Sequence, residues 1–127
     1  MKKIISPHVN IYKFPITAVS SITNRLTGLA LTGLFIGTGI SNIFNLDLIK
    51  KYDKLENNYK KVINYSVIFP ATYHTFGGIR HFIWDKYPQL LNNKQVKKSS
   101  FFLMGGSVVY TILFEKFVLK SNLKNII

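Results

Sequence analysis

The sequence predicts an all-α fold, an integral membrane bundle of three transmembrane helices. Three long runs contain no charged residue, at 26–46, 62–79 and 99–114. Lysine-rich stretches separate these runs, and about 20 predominantly apolar residues are long enough to cross a bilayer as a helix. We therefore expect residues 1–127 to form a single membrane-anchor domain. Its helices are predicted at about 17–46, 61–84 and 99–119.

The charge balance is strongly basic, with a formal net charge of +12. In a soluble protein this excess would suggest a nucleic-acid partner. Here the lysines lie in the flanks and loops of the uncharged runs, where long basic side chains reach lipid head groups. The predicted partner is therefore the lipid bilayer, and no nucleic acid is expected. The chain has no Cys, so it supplies no disulfide and no thiolate ligand for an iron–sulfur cluster.

The first predicted helix places Ser21 and Arg25 four residues apart, on one face at the membrane boundary. Their hydroxyl and guanidinium groups are donors suited to a carbonyl oxygen. The alternative is that Arg25 only anchors the helix at the interface and Ser21 only packs. Further along, Gly33 and Gly37 form a small-xxx-small pair, which predicts close contact with another helix.

The second predicted helix contains a histidine at membrane depth. His74 lies within the 18 uncharged positions of 62–79 and six residues before Arg80. Six residues span roughly 9 Å along a helix. An ionisable group so deep in hydrocarbon is costly, so we expect His74 to be a functional residue that faces the bundle interior.

Two glycines share the helix face of His74. Positions 74, 77, 78 and 81 follow the i, i+3, i+4, i+7 spacing, so Gly77 and Gly78 clear a flat surface between His74 and His81. A helix-interior glycine costs about 1 kcal/mol relative to alanine. Either a neighbouring backbone or a flat ligand such as a porphyrin would fill this space. If the ligand is a haem, the neutral imidazole of His74 is a suitable axial ligand for its iron. The alternative is a buried histidine bonded to another helix, with glycines that only pack.

The connections and the third predicted helix show no paired carboxylates, nucleophile or carboxylate-binding group placed for catalysis. We therefore assign no catalytic residue to this chain.

Two motifs resemble the signatures of a known family. The motif in the second predicted helix is His74-x-x-x-Gly78-Ile79-Arg80-His81-x-x-x-Asp85. The motif near the N-terminus is Ser6-Pro7-His8, Ile11-Tyr12, Phe14-Pro15-Ile16-Thr17 and Ser21-Ile22-Thr23-x-Arg25-x-Thr27-Gly28. In order and separation they resemble those of the larger cytochrome b subunit of succinate dehydrogenase, respiratory complex II. The three predicted helices extend the likeness over nearly the whole chain.

The resemblance implies a haem b-binding membrane-anchor subunit of succinate:ubiquinone oxidoreductase. Such a subunit forms part of the ubiquinone site and docks the catalytic subunits to the membrane. Ser21, Arg25 and Ile22 would line the quinone pocket, and His74 would be an axial haem ligand. Candidate contacts of the haem propionates are Arg25, Arg80 and His81. Many members have a histidine immediately before the arginine; Asn24 stands there in this chain, so the role of that histidine is not carried over.

A haem b with two axial ligands needs a second chain. His81 shares a helix face with His74 and cannot reach the opposite side of one iron, and His8 lies outside the predicted spans. Another chain must supply a histidine, or a methionine must serve. The resemblance implies that a second, smaller anchor subunit supplies it. An iron–sulfur subunit and a flavoprotein subunit complete the complex, which oxidises succinate on the flavin and links the tricarboxylic acid cycle to electron transport.

The expected location is the mitochondrial inner membrane, with the bacterial cytoplasmic membrane as the alternative. Residues 1–14 lack the features of a secretory signal or transit peptide, which predicts an organelle-encoded protein in the mitochondrial case. Lys and Arg are almost evenly divided between the two sides, so orientation does not follow from charge. The resemblance implies that the N-terminus and the Arg80 end face the matrix or cytoplasm.

Two other functions remain open. One is a structural membrane anchor of the same complex without haem or quinone binding. The other is a small transporter subunit in which His74 relays protons. The second would need further ionisable groups at membrane depth, and the uncharged runs contain none besides His74 that carries charge near neutral pH.

Overall fold

The computed structural model describes the backbone of residues 14–124 and the side chains of residues 14–117. Within this range the chain is helical and contains no strand, which confirms the predicted all-α class. The elements in order are α1 (Ile16–Ile43), α2 (Leu48–Asp53), α3 (Asn57–Lys86), a 3₁₀ turn (Pro88–Leu90) and α4 (Asn93–Lys124). The part of the N-terminal motif before Phe14, including His8, lies outside the described residues.

The helix ends follow local chemistry. α1 begins directly after Pro15, whose extended backbone (φ −70°, ψ 150°) suits a residue that cannot donate a helical hydrogen bond. It ends before Asn45, which has a left-handed φ of 53° that asparagine tolerates better than most residues. α3 and α4 each begin before the predicted spans, because lysine is a good helix former and their lysine-rich flanks extend the helices.

Two of the described helices are long and apolar enough to cross a membrane. They are α1 and the Asn93–Phe117 part of α4. α3 is 30 residues long but is not one of them. Its central part contains Asn64, Pro70 and His74, which lower its mean hydropathy although 62–79 carries no formal charge.

Burial in the chain is reversed relative to a water-soluble protein. Among the described residues the only buried large apolar side chains are Tyr73 and Leu103, whereas small hydroxyl residues dominate the buried positions. Those positions are Ser20, Thr27, Ser41, Thr72, Ser100, Ser107 and Thr111. Large apolar side chains such as Phe35 and Phe102 are exposed. Small polar residues between helices and apolar residues outside are typical of helices packed in a bilayer.

The three long helices share one end. α3 and α4 run antiparallel, since Arg80 bonds to Ser100 near one end and Tyr65 reaches Glu115 near the other. The start of α1 lies beside the start of α4, where Phe14 and Phe101 line a common cleft. This end, called the Arg80 end below, therefore combines the start of α1, the end of α3 and the start of α4.

The predicted close contact at Gly33 and Gly37 is wrong for helices within this chain. A Cβ atom added at either glycine would meet no atom within 4 Å. The glycines that admit a neighbouring helix are instead Gly28 in α1 and Gly77 in α3.

Candidate functional site

His74 is held on α3 by a hydrogen bond to the backbone of α1. Its Nδ1 atom lies 3.0 Å from the carbonyl oxygen of Asn24. A carbonyl oxygen only accepts, so Nδ1 must carry the proton and donate. In a neutral imidazole with this hydrogen bond the lone pair is on Nε2, which is the tautomer that a metal-binding histidine uses when its other nitrogen donates to a backbone carbonyl.

The ring of His74 occupies the space that a side chain at position 28 would fill. A Cβ atom on Gly28 would lie 2.7 Å from Cε1 and 3.1 Å from Nδ1 of His74. Real Cβ atoms essentially never lie within 3.0 Å of a neighbour, so the absence of a side chain at Gly28 permits the observed ring position. Gly28 and the Asn24 carbonyl together fix where the imidazole sits and which nitrogen remains free.

His74 lies at the surface of this chain, not in its interior. The residue is exposed at the edge of the interface between α1 and α3. The prediction that it faces the interior of the bundle is therefore wrong for the bundle formed by this chain alone. The alternative was a buried histidine bonded to another helix. His74 is bonded to another helix, α1, but it is exposed and not buried.

The two glycines that follow His74 have different surroundings. Gly77 is buried, and a Cβ atom there would lie 2.8 Å from Cγ of Asn24, so this glycine admits the side chain of α1. Gly78 is exposed, and a Cβ atom there would meet nothing within 4 Å. The sequence left a neighbouring helix and a flat ligand as alternative users of this space. The Asn24 side chain of α1 occupies the space at Gly77, and no described residue occupies the space at Gly78.

Asn24 contacts α3 through both its backbone and its side chain. Its carbonyl oxygen accepts hydrogen bonds from His74 and from the Thr27 hydroxyl at 2.9 Å. Its side-chain Oδ1 is buried against Gly77 without a hydrogen-bond partner in the described part of the chain. In the sequence Asn24 stood out only as a departure from the family pattern, and its contact with His74 was not predicted.

Ser21, Ile22 and Arg25 line the same part of α1. Ser21 is half-buried, while Ile22 and Arg25 are exposed. Ser21, Arg25 and Gly28 follow the i, i+4, i+7 spacing, so the helix face that contacts His74 at Gly28 also carries the hydroxyl and the guanidinium. Arg25 makes no hydrogen bond to another described residue, which leaves its donors available to a bound molecule.

Arg80 and His81 both contact Trp84 but point to different neighbours. The Nη1 group of Arg80 donates to Ser100 Oγ at 3.1 Å, and its guanidinium lies 4.6 Å from the centre of the Trp84 ring. His81 is exposed and meets the same indole edge-to-face at 5.4 Å. The side chain of Arg80 is therefore directed to α4, whereas His74 contacts α1.

Tyr73 was not identified from the sequence. Its side chain is completely buried, and its hydroxyl lies 3.2 Å from the Ser20 carbonyl oxygen and 3.1 Å from Ser20 Oγ. Because Tyr73 directly precedes His74, this contact fixes α3 against α1 beside the histidine. A tyrosine in an apolar run was the available signal, since a buried tyrosine usually finds a partner for its hydroxyl.

These features define a class of protein. The chain is a helical membrane protein that presents one exposed imidazole, bonded through Nδ1 to a backbone carbonyl, beside a serine–arginine pair on a neighbouring helix. Residues 1–114 match the family described as the succinate dehydrogenase/fumarate reductase transmembrane subunit. The chain belongs to this family, which confirms the resemblance seen in its motifs.

Named relatives support the same assignment. The chain is 35% identical over 116 residues to the mitochondrial succinate dehydrogenase cytochrome b560 subunit of Dictyostelium discoideum, a match that covers 86% of this chain and 59% of that protein. It is 36% identical to the cytochrome b556 subunit of Rickettsia felis, covering 66% of this chain and 68% of the relative. The cytochrome b560 subunit of Porphyra purpurea is 27% identical, with 91% and 94% covered. The chain thus spans about three fifths of the Dictyostelium protein but nearly all of the Porphyra one.

Proposed function

We propose that this chain is a haem b-binding membrane-anchor subunit of a succinate:ubiquinone oxidoreductase. The observation that carries the proposal is the hydrogen bond from His74 Nδ1 to the Asn24 carbonyl, since in the neutral imidazole it makes Nε2 the atom that can bind a metal. The exposed position of His74 suits a haem that lies between this chain and another. We assign the second axial ligand to a second small anchor subunit.

The residues around His74 fit a flat ligand. Gly28 admits the imidazole, and the exposed Gly78 adds no side chain to the surface that leads from His74 toward His81. When bound, a haem b would accept and release one electron at a time. Arg25 and His81, both exposed, are the residues we assign to its propionates. Arg80 is a weaker candidate because its guanidinium is bonded to Ser100 on α4.

The serine–arginine pair of α1 is the part of the chain that we assign to ubiquinone. Ser21 and Arg25 lie one helical turn apart and offer a hydroxyl and a guanidinium to a quinone carbonyl oxygen. Ile22 is 43% exposed beside them and would cover the ring with apolar surface. These side chains would bind and orient the quinone, and a guanidinium would stabilise negative charge that develops on its oxygen during reduction.

We further propose that α3 crosses the membrane together with α1 and α4. The starts of α1 and α4 lie at the same end of the molecule. A chain that crosses in α1 must return before it can cross in α4 in the same direction, and α3 is the 30-residue helix between them. Its polar side chains are accommodated by neighbours, as Tyr73 and His74 are by Ser20 and Asn24.

The remaining assignments concern the complex as a whole. The catalytic subunits, a flavoprotein and an iron–sulfur protein, would dock on the Arg80 end, which would face the mitochondrial matrix or the bacterial cytoplasm. The relatives named above include mitochondrial and rickettsial subunits, which supports the mitochondrial inner membrane with a bacterial membrane as the alternative. Succinate oxidation itself would take place on the flavoprotein.

A structural anchor without haem or quinone is the second candidate. The observation in its favour is that the His74–Asn24 hydrogen bond also ties α3 to α1, which would give the histidine a purely structural role.

Reduced-minus-oxidised visible spectra of the purified complex separate the two functions. We expect a b-type band with the native chain, loss or a shift of that band with His74→Ala, and retention with Thr75→Ala, a change at the exposed neighbouring position of the same helix. A band that His74→Ala leaves unchanged would overturn the assignment of His74 as ligand. A native complex without the band would favour the structural anchor.

A further inference from the structure

A cleft at the Arg80 end lies between α3 and α4, on a different side of α3 from the contact of His74 with α1. Its volume is about 560 Å³, and the end of α3, the 3₁₀ turn and the start of α4 form its walls. This volume lies within the roughly 300–1,000 Å³ typical of ligand sites.

Two cations at the cleft lack an anionic partner among the described residues. Arg80 and Lys98 both line it. The described partners of Arg80 are the neutral Ser100 hydroxyl and the Trp84 ring, and its Nε group is buried without a hydrogen-bond acceptor. The ion pair found among the described side chains joins Lys50 to Asp47, in the connection between α1 and α3, and does not involve either cation of the cleft. An anion with several acceptor oxygens in the cleft would balance the charge of both cations.

The cleft changes from polar to apolar along the helix axes. Trp84 and Lys98 lie toward the Arg80 end, and Phe76, Phe102 and Leu103 lie further along the two helices. The eight residues from Phe76 to Trp84 span roughly 12 Å. Phe102 is 80% exposed, so the apolar part opens to the outside of the chain. A tryptophan is commonly found at the level of lipid head groups.

We propose that this cleft binds one anionic diacyl phospholipid, with the phosphate between Arg80 and Lys98. An acyl chain would lie along Ile79, Phe102 and Leu103. A phospholipid has the same order of groups as the cleft, a phosphate at the interface followed by hydrocarbon toward the bilayer centre. The site rests on the proposed membrane placement of α3 and is independent of haem binding.

Photo-crosslinking identifies the occupant. A photoreactive amino acid in place of Phe102 is introduced into the full chain, the complex is assembled in membranes and irradiated, and the mass of the adduct is measured. We expect a phospholipid adduct that is enriched in anionic head groups relative to the bulk membrane. An adduct on a partner helix, or on residues 1–13 of this chain, would overturn the proposal.

Charge variants test the phosphate contact. Arg80→Gln and Lys98→Gln should each lower the anionic enrichment of the adduct by about fivefold, since one basic residue near an anionic membrane surface contributes roughly this factor. Lys94→Gln removes the same charge from α4 outside the cleft lining and should leave the enrichment unchanged. Lys98 is exposed, so its variant should fold even if Arg80→Gln does not. Equal enrichment in Lys98→Gln and Lys94→Gln would identify ordinary annular lipid and overturn the proposal.

The haem spectrum of the same preparations keeps the two proposals separate. A missing haem band with an intact, Lys98-dependent lipid adduct would reject the proposed cofactor and retain the lipid site. An intact haem band without anionic enrichment would reject the lipid site alone.

Discussion

A Cβ atom on Gly28 would lie 2.7 Å from Cε1 of His74, so the side chain at position 28 and the imidazole compete for the same space. The Asn24 carbonyl lies one turn earlier on α1 and receives the Nδ1 proton of the ring at 3.0 Å. α1 therefore determines both the position and the tautomer of a histidine that belongs to α3. A mutation in α1 that leaves His74 in place should therefore still weaken its proposed role as a ligand.

Gly28→Ala should displace the His74 ring or separate α1 from α3. Inserting a methyl group into a filled space commonly costs about 1–3 kcal/mol. We expect a lower midpoint of thermal unfolding and a weaker or shifted b-type band in the purified complex. Gly33→Ala is the matched control, because a Cβ atom at Gly33 in the same helix meets nothing within 4 Å. Identical spectra and unfolding midpoints for the two variants would contradict the proposed contact.

Gly77 and Gly78 should respond differently to alanine. Gly77→Ala places a methyl group against the Asn24 side chain and should destabilise the packing of α1 on α3 by about 1–3 kcal/mol. Gly78→Ala has open space and, within this chain, should gain up to about 1 kcal/mol of helix propensity. If a flat ligand covers Gly78, haem content should nevertheless fall in the second variant.

Pyridine haemochrome absorbance per mole of complex, together with thermal unfolding, separates these two effects. Loss of stability at position 77 and loss of haem at position 78 is the expected pattern. A Gly78→Ala complex with full haem content would place the ligand elsewhere.

Tyr73→Phe removes a buried hydroxyl that contacts Ser20 across the helix interface. Loss of one such hydrogen bond should cost about 1 kcal/mol of stability, and Phe preserves the packing of the ring. Tyr59→Phe on the same helix is the control, since that tyrosine is 62% exposed. Comparing the unfolding midpoints of the two complexes measures the difference. A Tyr59 variant that is destabilised as much as the Tyr73 variant would argue against the role of the Ser20 contact.

The sequence predicted the residue types of the site better than their surroundings. The isolated position of His74 in an uncharged run and the Ser21–Arg25 spacing can be read directly along the chain. The hydrogen-bond partner of His74 could not be predicted, because every residue has a backbone carbonyl. Only the packing of α1 against α3 brings the carbonyl of Asn24 to the histidine. The same limit applies to the glycines, since the sequence does not distinguish Gly28, which meets a neighbour, from Gly33, which does not.

The direction of Arg80 was not predictable for a related reason. α3 carries polar residues on more than one face, so its pattern does not define a single rotation toward its neighbours. His74 contacts α1 while Arg80 bonds to Ser100 on α4, and both outcomes follow from one rotation of the helix. The all-α class is confirmed, but the polar residues that make α3 informative also remove it from the helices whose composition alone indicates a membrane span.

Arg25 provides the sharpest test of the quinone assignment, because its guanidinium is exposed and has no hydrogen-bond partner among the described residues. Arg25→Ala should lower kcat/KM for ubiquinone reduction by roughly 10–100-fold, the effect of losing a charged hydrogen bond to substrate. Arg25→Lys should recover part of the loss, since an ammonium keeps the charge but not the planar fork of donors.

Two further measurements show whether the effect of Arg25 is specific. Succinate oxidation with a soluble acceptor that bypasses the membrane subunits should be unchanged, because both roles proposed for Arg25, at the quinone and at the haem propionates, lie within the membrane subunits. Leu29→Ala, one turn along α1 at a side chain that is 70% exposed, should leave the KM for quinone unchanged. If Arg25→Ala and Leu29→Ala have the same kcat/KM, Arg25 serves only as an interfacial anchor. A selective loss in Arg25→Ala would instead place the quinone head group on the face of α1 that also positions His74.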